Sequence, residues 1–253
     1  YSLIKGSMAL SIPYEELGGQ LLFDPVANKS RSNHYSVVYL IEYLDFLETN
    51  NFKELIDTST FRADLENGLY FECNIPISYG LGSSGAIVAA IYHSYSLSGL
   101  SDDLLSLKTV FSNLESYYHG KSSGLDPLVS YLNKAVLIKE DGELQTVEIP
   151  DTKSQNGINI FLIDTKSVGE TQPLVNWFLN EYEKVNYKHK IDNQLIPLNN
   201  SCINSILDGD FEQVLNITKS ISEFSLENFK PMIPHSVKEA WTKGLETDSF
   251  YLK

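Results

Sequence analysis

Between residues 70 and 95 the chain changes pattern three times. An alternating segment, 70–76, places Phe71, Cys73 and Ile75 on one side of a predicted strand that ends at Pro76. The turn Gly80-Leu81-Gly82-Ser83-Ser84-Gly85 follows, and it opens a small-residue helix over 86–95. A strand, a glycine-rich turn and a helix in that order present backbone N–H groups and a positive dipole end to a phosphate. Glycine lets the backbone approach the phosphate closely, and the Ser84 hydroxyl suits a phosphate oxygen or an accompanying Mg²⁺. No Gly-Lys-Ser/Thr follows, so this is not the P-loop of nucleotide triphosphatases. A turn that merely caps a packed helix is the competing reading, and the turn alone leaves both standing.

The second chemical signal is Glu115 together with His119-Gly120-Lys121-Ser122-Ser123-Gly124-Leu125-Asp126. A helix is predicted over 102–118, capped by Ser101 with Asp102 and Asp103 in its first turn, and its apolar stripe is Leu104, Leu107, Phe111 and Leu114. At about 100° per residue, Glu115 lies roughly 20° from Leu104 and roughly 40° from Phe111, so its carboxylate points with the stripe. Burying a carboxylate there is unfavourable unless a cation or hydrogen bonds compensate it, and Mg²⁺ or a lysine would serve. A surface glutamate at a fraying helix end is the alternative. Asp126 is expected on a small-residue loop beyond that helix. Phosphoryl transfer needs a cradle for the phosphates, a metal ion and a group that takes or orients the hydroxyl proton. Gly80 to Gly85, Ser84 with Glu115, and Asp126 are candidates for those three parts. His34, His93, His189 and His235 are scattered, and His93 reads as a core or surface residue of its helix; His119 adjoins the loop and stays ambiguous.

The elements that must position these residues form two α+β lobes, 1–152 and 157–253, with a polar linker over 150–157. Short strands around 9–12 and 21–23 precede a helix capped by Asn33, whose stripe is Val37, Leu40, Ile41, Leu44 and Leu47. A hairpin over 135–147 turns at Asp141-Gly142. A buried-type strand is expected over 158–163, and helices over 171–183, 193–207 and 210–222. With 253 residues, 42% of them hydrophobic, the chain has material for a substantial core. Its 33 acidic residues against 19 basic ones give a net charge of −14, which repels polyanions and argues against a nucleic-acid partner. No run of about twenty apolar residues points to a membrane span. Two separated cysteines, Cys73 and Cys202, with no zinc or redox spacing fit a reducing cytosol, so a cytoplasmic location is expected.

The stretch from Pro76 through Gly80-Leu81-Gly82-Ser83-Ser84-Gly85-Ala86 resembles the second motif of the GHMP kinases, PxxxGLGSSAA. His119-Gly120-Lys121-Ser122-Ser123-Gly124-Leu125-Asp126 resembles HGxPSGxD, the version found in mevalonate kinases. Lys5-Gly6-Ser7-Met8-Ala9-Leu10 is similar to the stretch after the family's first motif, and Asp164-Thr165 with Thr171, Leu174 and Val175 to the start of its C-terminal lobe. The resemblance implies a two-lobe fold with an N-terminal mixed sheet backed by helices and a ferredoxin-like C-terminal lobe. It implies ATP and Mg²⁺ as cofactors, Asp126 as catalytic residue, Gly80, Leu81, Gly82, Ser83, Ser84 and Gly85 around the phosphates, Ser84 and Glu115 on the metal, and Ser123 and Thr171 near a small-molecule alcohol. The expected reaction is phosphorylation of mevalonate. Phosphomevalonate, sugar or homoserine kinases, or a homologue that binds ATP or a metabolite without turnover, are the rivals, and a homodimer is left open. Ser122 stands where the family has proline, Gly85 where it has alanine, and Tyr1 where mevalonate kinases have histidine. The family's lysine-bearing first motif would precede Tyr1 and its GAGGG-type third motif would follow Lys253, so the chain reads as cut at both ends relative to the family.

Overall fold

The computed structural model describes residues 4–13, 19–23, 34–35, 37–75, 80–97, 103–151, 158–161, 163–165 and 171–252. The expected Asn33 and Ser101 caps, the stretch 76–79 before the glycine-rich turn and the linker residues 152–157 lie outside them. The chain divides into two compact units, one over Ser11–Val136 and one joining Leu3–Leu10 to Leu137–Lys253.

In the first unit, strands β2 (Gly19–Phe23), β3 (His34–Tyr35) and β4 (Leu69–Cys73) form an antiparallel sheet in the order β2-β4-β3. Gly19 pairs with Cys73, Phe23 with Leu69, and His34 with Glu72. The alternation read from the sequence holds in β4, where Leu69, Phe71 and Cys73 are buried and Tyr70 and Glu72 between them are not. Helices α1 (Val37–Thr49), α2 (Thr58–Glu66), α3 (Ser83–Tyr95), α4 (Leu104–His119) and α5 (Leu125–Leu132) complete the unit. Leu40, Leu44 and Leu47 of α1, Phe61 of α2, Ile87 and Ile91 of α3, and Phe111 and Leu114 of α4 are almost entirely buried.

Two details of the helices differ from the sequence reading. Ile41 is exposed, and Tyr43 takes the place expected of it in the α1 stripe because its ring is buried while its hydroxyl donates to the Leu114 carbonyl at 3.1 Å. Burial of that phenol, with Glu115 nearby, pushes its pKa far up. Asp103 caps α4 rather than sitting within its first turn, and its carboxylate accepts from the N–H groups of Leu105 and Ser106 at 3.3 and 3.1 Å.

β1 (Ala9–Ser11), β5 (Ala135–Ile138) and β6 (Leu144–Val147) form a second sheet in the order β1-β5-β6, and the division between the units falls within β1 and within β5. The expected hairpin turn is present, with the Gly142 N–H donating to Lys139 at 2.9 Å and a φ of +89° that glycine adopts freely. Helices α6 (Thr171–Tyr182), α7 (Val185–Lys190), α8 (Ile196–Asp208), α9 (Phe211–Asn228) and α10 (Lys238–Thr247) follow, with a π-helical turn, Ile191–Leu195, leading into α8. Buried Asn200 on α8 joins three chain segments of the second unit: its Oδ1 accepts from the Met8 N–H at 2.8 Å, and its Nδ2 donates to the Gly6 carbonyl at 2.8 Å and to Glu140 at 2.9 Å. The expected strand over 158–163 is not formed by the described residues there. Ile160, Phe161 and Ile163 are 77%, 81% and 51% exposed. An apolar run is a strand only where a neighbour offers its ladder of hydrogen bonds, and none of the described strands pairs with this segment. No described helix is long and apolar enough to cross a membrane.

Candidate active site

The glycine-rich turn does what its composition requires. Gly80 and Gly82 have φ of +71° and +74°, a region that disfavours side chains, and Gly82 immediately precedes the first residue of α3. The Ala86 N–H closes the first intrahelical bond to the Gly82 carbonyl at 3.0 Å. The amides of Ser84 and Gly85 therefore lie in the first turn of a 13-residue helix, where N–H groups have no acceptor within the helix and the dipole is positive.

Close packing of α5 on α3 brings Asp126 to this turn. A Cβ built on Gly85 would meet the Pro127 nitrogen at 2.8 Å and the Asp126 carbonyl carbon at 2.9 Å, so only glycine permits the approach. A Cβ on Gly82 would lie 3.7 Å from Asp126 Oδ2, which places that carboxylate over the turn. Asp126 is not on a loop as expected. It occupies the first turn of α5, after Gly124 at φ +70°. Gly124 in turn crosses α4 so tightly that a Cβ there would fall 2.1 Å from the Lys108 carbonyl oxygen and 2.5 Å from the Ser112 nitrogen.

Glu115 follows the α4 stripe inward, as its phase predicts, and is 3% exposed. Its compensation comes from hydroxyls. Ser84 Oγ donates to Glu115 Oε1 at 3.0 Å, and Ser122 Oγ donates to Oε2. His119 Nε2 is 2.9 Å from Ser84 Oγ. The serine has one hydroxyl hydrogen and gives it to Glu115, so Nε2 must carry the hydrogen of the second contact. Desolvation raises the Glu115 pKa above the ordinary carboxylate range; the bonds from Ser122 and Ser84 oppose this, the negative charge of Asp126 adds to it, and His119 opposes it. Asp126 is exposed by surface area, yet protein crowds its other sides, and this desolvation pushes its carboxyl up while His119 pulls it down. The open side keeps that carboxyl hydrated, so burial governs Glu115 more than Asp126.

Ser84, Glu115 and Asp126 are thus gathered in the first unit with the turn 80–85. Ser123 lies on the same connection and accepts the Leu125 N–H at 3.2 Å, a local turn contact. Thr171 starts α6 in the second unit. His119, ambiguous in sequence, is joined to Ser84; its signal was the i, i+4 spacing from Glu115, which puts both on one helix face. Ser122 had no such signal because it lies past the helix end, where periodicity stops.

The donor set suits Mg²⁺. One buried carboxylate beside a serine hydroxyl offers hard oxygen ligands, and the described residues contain no cluster of three or more acidic, histidine or cysteine side chains that would enclose a metal by itself. Mg²⁺ is held in this way by few protein oxygens, with water and substrate phosphates completing its shell.

Residues 47–134 match the family model of the GHMP kinases N terminal domain. The matched stretch, about a third of the chain, contains the turn 80–85, Ser84, Glu115 and Asp126. The chain has no match among curated proteins.

Proposed function

We propose that the protein is an ATP-dependent small-molecule kinase in which Gly80 to Gly85 hold the nucleotide phosphates, Ser84 and Glu115 hold Mg²⁺, and Asp126 receives the proton of the attacking hydroxyl. The observation that carries this reading is the buried Ser84–Glu115 pair at the start of α3, with Asp126 over the same turn. Amides of the α3 first turn stabilise phosphate charge before and during transfer without reorganising. The alcohol oxygen forms its bond to the γ-phosphorus as the bond to the ADP oxygen breaks, and its proton passes to Asp126. Burial pushes the Asp126 carboxyl up, and a carboxylate so raised is, when ionised, a better proton acceptor than an unperturbed one. Bound Mg²⁺ would neutralise charge on the phosphate oxygens.

The acceptor is proposed to be mevalonate, giving 5-phosphomevalonate, because His119-Gly120 and Ser123-Gly124-Leu125-Asp126 follow the mevalonate kinase form of the motif. The two-lobe organisation with a ferredoxin-like second lobe, Ser123 and Thr171 near the alcohol, and a cytoplasmic setting belong to the same proposal. The test is ATP- and Mg²⁺-dependent phosphorylation of a panel of mevalonate, phosphomevalonate, homoserine and sugars, with ADP release and the phosphorylated product both measured. Transfer to mevalonate above the other alcohols is the expected result. Transfer to another member would correct the substrate, and nucleotide binding without transfer to any of them would leave a binding homologue.

A further inference from the structure

We infer that Ser122 is a positioning residue that ties the carboxylate proposed to hold Mg²⁺ to the turn that delivers Asp126, an inference that rests on the kinase reading above. Residue 122 is fastened on three sides. Its hydroxyl donates to Glu115 Oε2, the same oxygen accepts the Gly124 N–H at 3.0 Å, and its carbonyl accepts the Ser112 hydroxyl at 2.6 Å. Gly124 precedes the first residue of α5, and Asp126 stands in that helix's first turn. One hydroxyl therefore spans the distance between the end of α4, which carries Glu115, and the start of α5.

The geometry also divides the work on Glu115. Ser84, on the phosphate turn, takes Oε1, while Ser122 takes Oε2 from the opposite connection. A carboxylate bonded at both oxygens cannot swing about its terminal torsion, which is otherwise broad. Ser122 thereby fixes the rotation that leaves Oε1 beside Ser84 Oγ. Proline, which the resembled motif has at this position, could supply neither the hydroxyl bond to Glu115 nor the acceptor for the Gly124 amide. The bridge is thus a device of this chain's own sequence.

The experiment compares the wild type with Ser122→Ala, Ser122→Pro and Ser122→Thr, each first checked for a cooperative thermal melt. Binding of Mn·ADP is followed through the free-Mn²⁺ electron paramagnetic resonance signal, and the Mg²⁺ concentration for half-maximal phosphoryl transfer is measured separately. Partners of a metal ligand typically contribute about 10- to 100-fold in metal affinity. Ser122→Ala and Ser122→Pro are expected to weaken Mn·ADP binding by about tenfold and to raise the half-saturating Mg²⁺ by a similar factor, with kcat recovering at saturating metal. Ser122→Thr, which keeps the hydroxyl, should stay near wild type. Wild-type Mn·ADP affinity in the alanine or proline variant, or equal losses in alanine and threonine, overturns the role. A wild type that binds Mn·ADP but phosphorylates no alcohol refutes the kinase reading while the binding comparison still decides Ser122. A wild type that binds no Mn·ADP overturns both.

Discussion

Glu115 is a carboxylate held almost wholly out of water by two neutral hydroxyls, so its ionised form opposes folding. A group whose pKa is raised in the native state binds more protons there than in the unfolded chain. Its favourable contribution is fully present below the ordinary carboxylate pKa and is lost as pH rises through the raised value. Glu115→Gln removes that cost while keeping an acceptor for one serine. The variant is expected to melt at or above the wild-type temperature at pH 7, with the difference shrinking toward about pH 4. Its half-saturating Mg²⁺ should rise at the same time. A lower melting temperature at pH 7 than at pH 4, relative to wild type, would show that the hydrogen bonds outweigh desolvation. Asp126 makes the opposite kind of prediction, because it is exposed and touches the phosphate turn. Asp126→Asn keeps size and one acceptor oxygen but cannot take a proton, so kcat should drop by about 10²- to 10⁴-fold while Mg·ADP affinity stays near wild type. Parallel losses in affinity, melting temperature and kcat would assign Asp126 to holding the turn.

At the scale of elements, the site depends on α3 and α5 approaching until backbone meets backbone at Gly85. Gly85→Ala forces a methyl to within 3 Å of the Asp126 and Pro127 backbone, so the helices must part. Such overpacking typically costs about 1 to 3 kcal/mol, or roughly 2 to 4 °C in melting temperature per kcal/mol for a domain of this size. Because the displaced atoms belong to Asp126, kcat should fall as well; calorimetry and steady-state kinetics on one preparation check both. Unchanged kcat with a lowered melting temperature would mean that Asp126 tolerates displacement. This closeness was not legible in the sequence, where Gly85 was read as part of the phosphate turn and as a departure from the family's alanine. The turn itself and the inward phase of Glu115 were legible, because a strand, clustered glycines and a 3.6-residue stripe are local patterns. Helix α5 was not expected, because the segment around Asp126 was read as a small-residue loop; Pro127 in fact lies in the helix's first turn, where a missing N–H costs nothing. The same limit explains the absent strand at 158–163: apolar spacing states what a segment can bury, whereas pairing depends on a partner that spacing does not name.

For the whole molecule the net charge of −14 sets a long-range field that opposes the polyphosphate the site is proposed to hold. Attraction must then come from short range, through the α3 amides and a bound cation, and the two ranges respond differently to salt. The screening length is about 30 Å at 0.01 M ionic strength and about 10 Å at 0.1 M, so added salt suppresses the distant repulsion first. Contacts within hydrogen-bond distance are screened much less. Nucleotide association should therefore accelerate as ionic strength rises from about 0.01 to 0.15 M, while dissociation stays nearly constant, the reverse of a site steered by a basic surface. Stopped-flow fluorescence with a labelled ADP at fixed free Mg²⁺ measures both rates. The exposed Lys121 on the α4–α5 connection is a cation placed to counter this expectation, since it lies between Gly120 and Ser122 beside the site. If association slows with salt, local charge outweighs the global field, and Lys121→Ala should then restore the positive slope. A negative slope that survives removal of Lys121 would disprove control by net charge altogether.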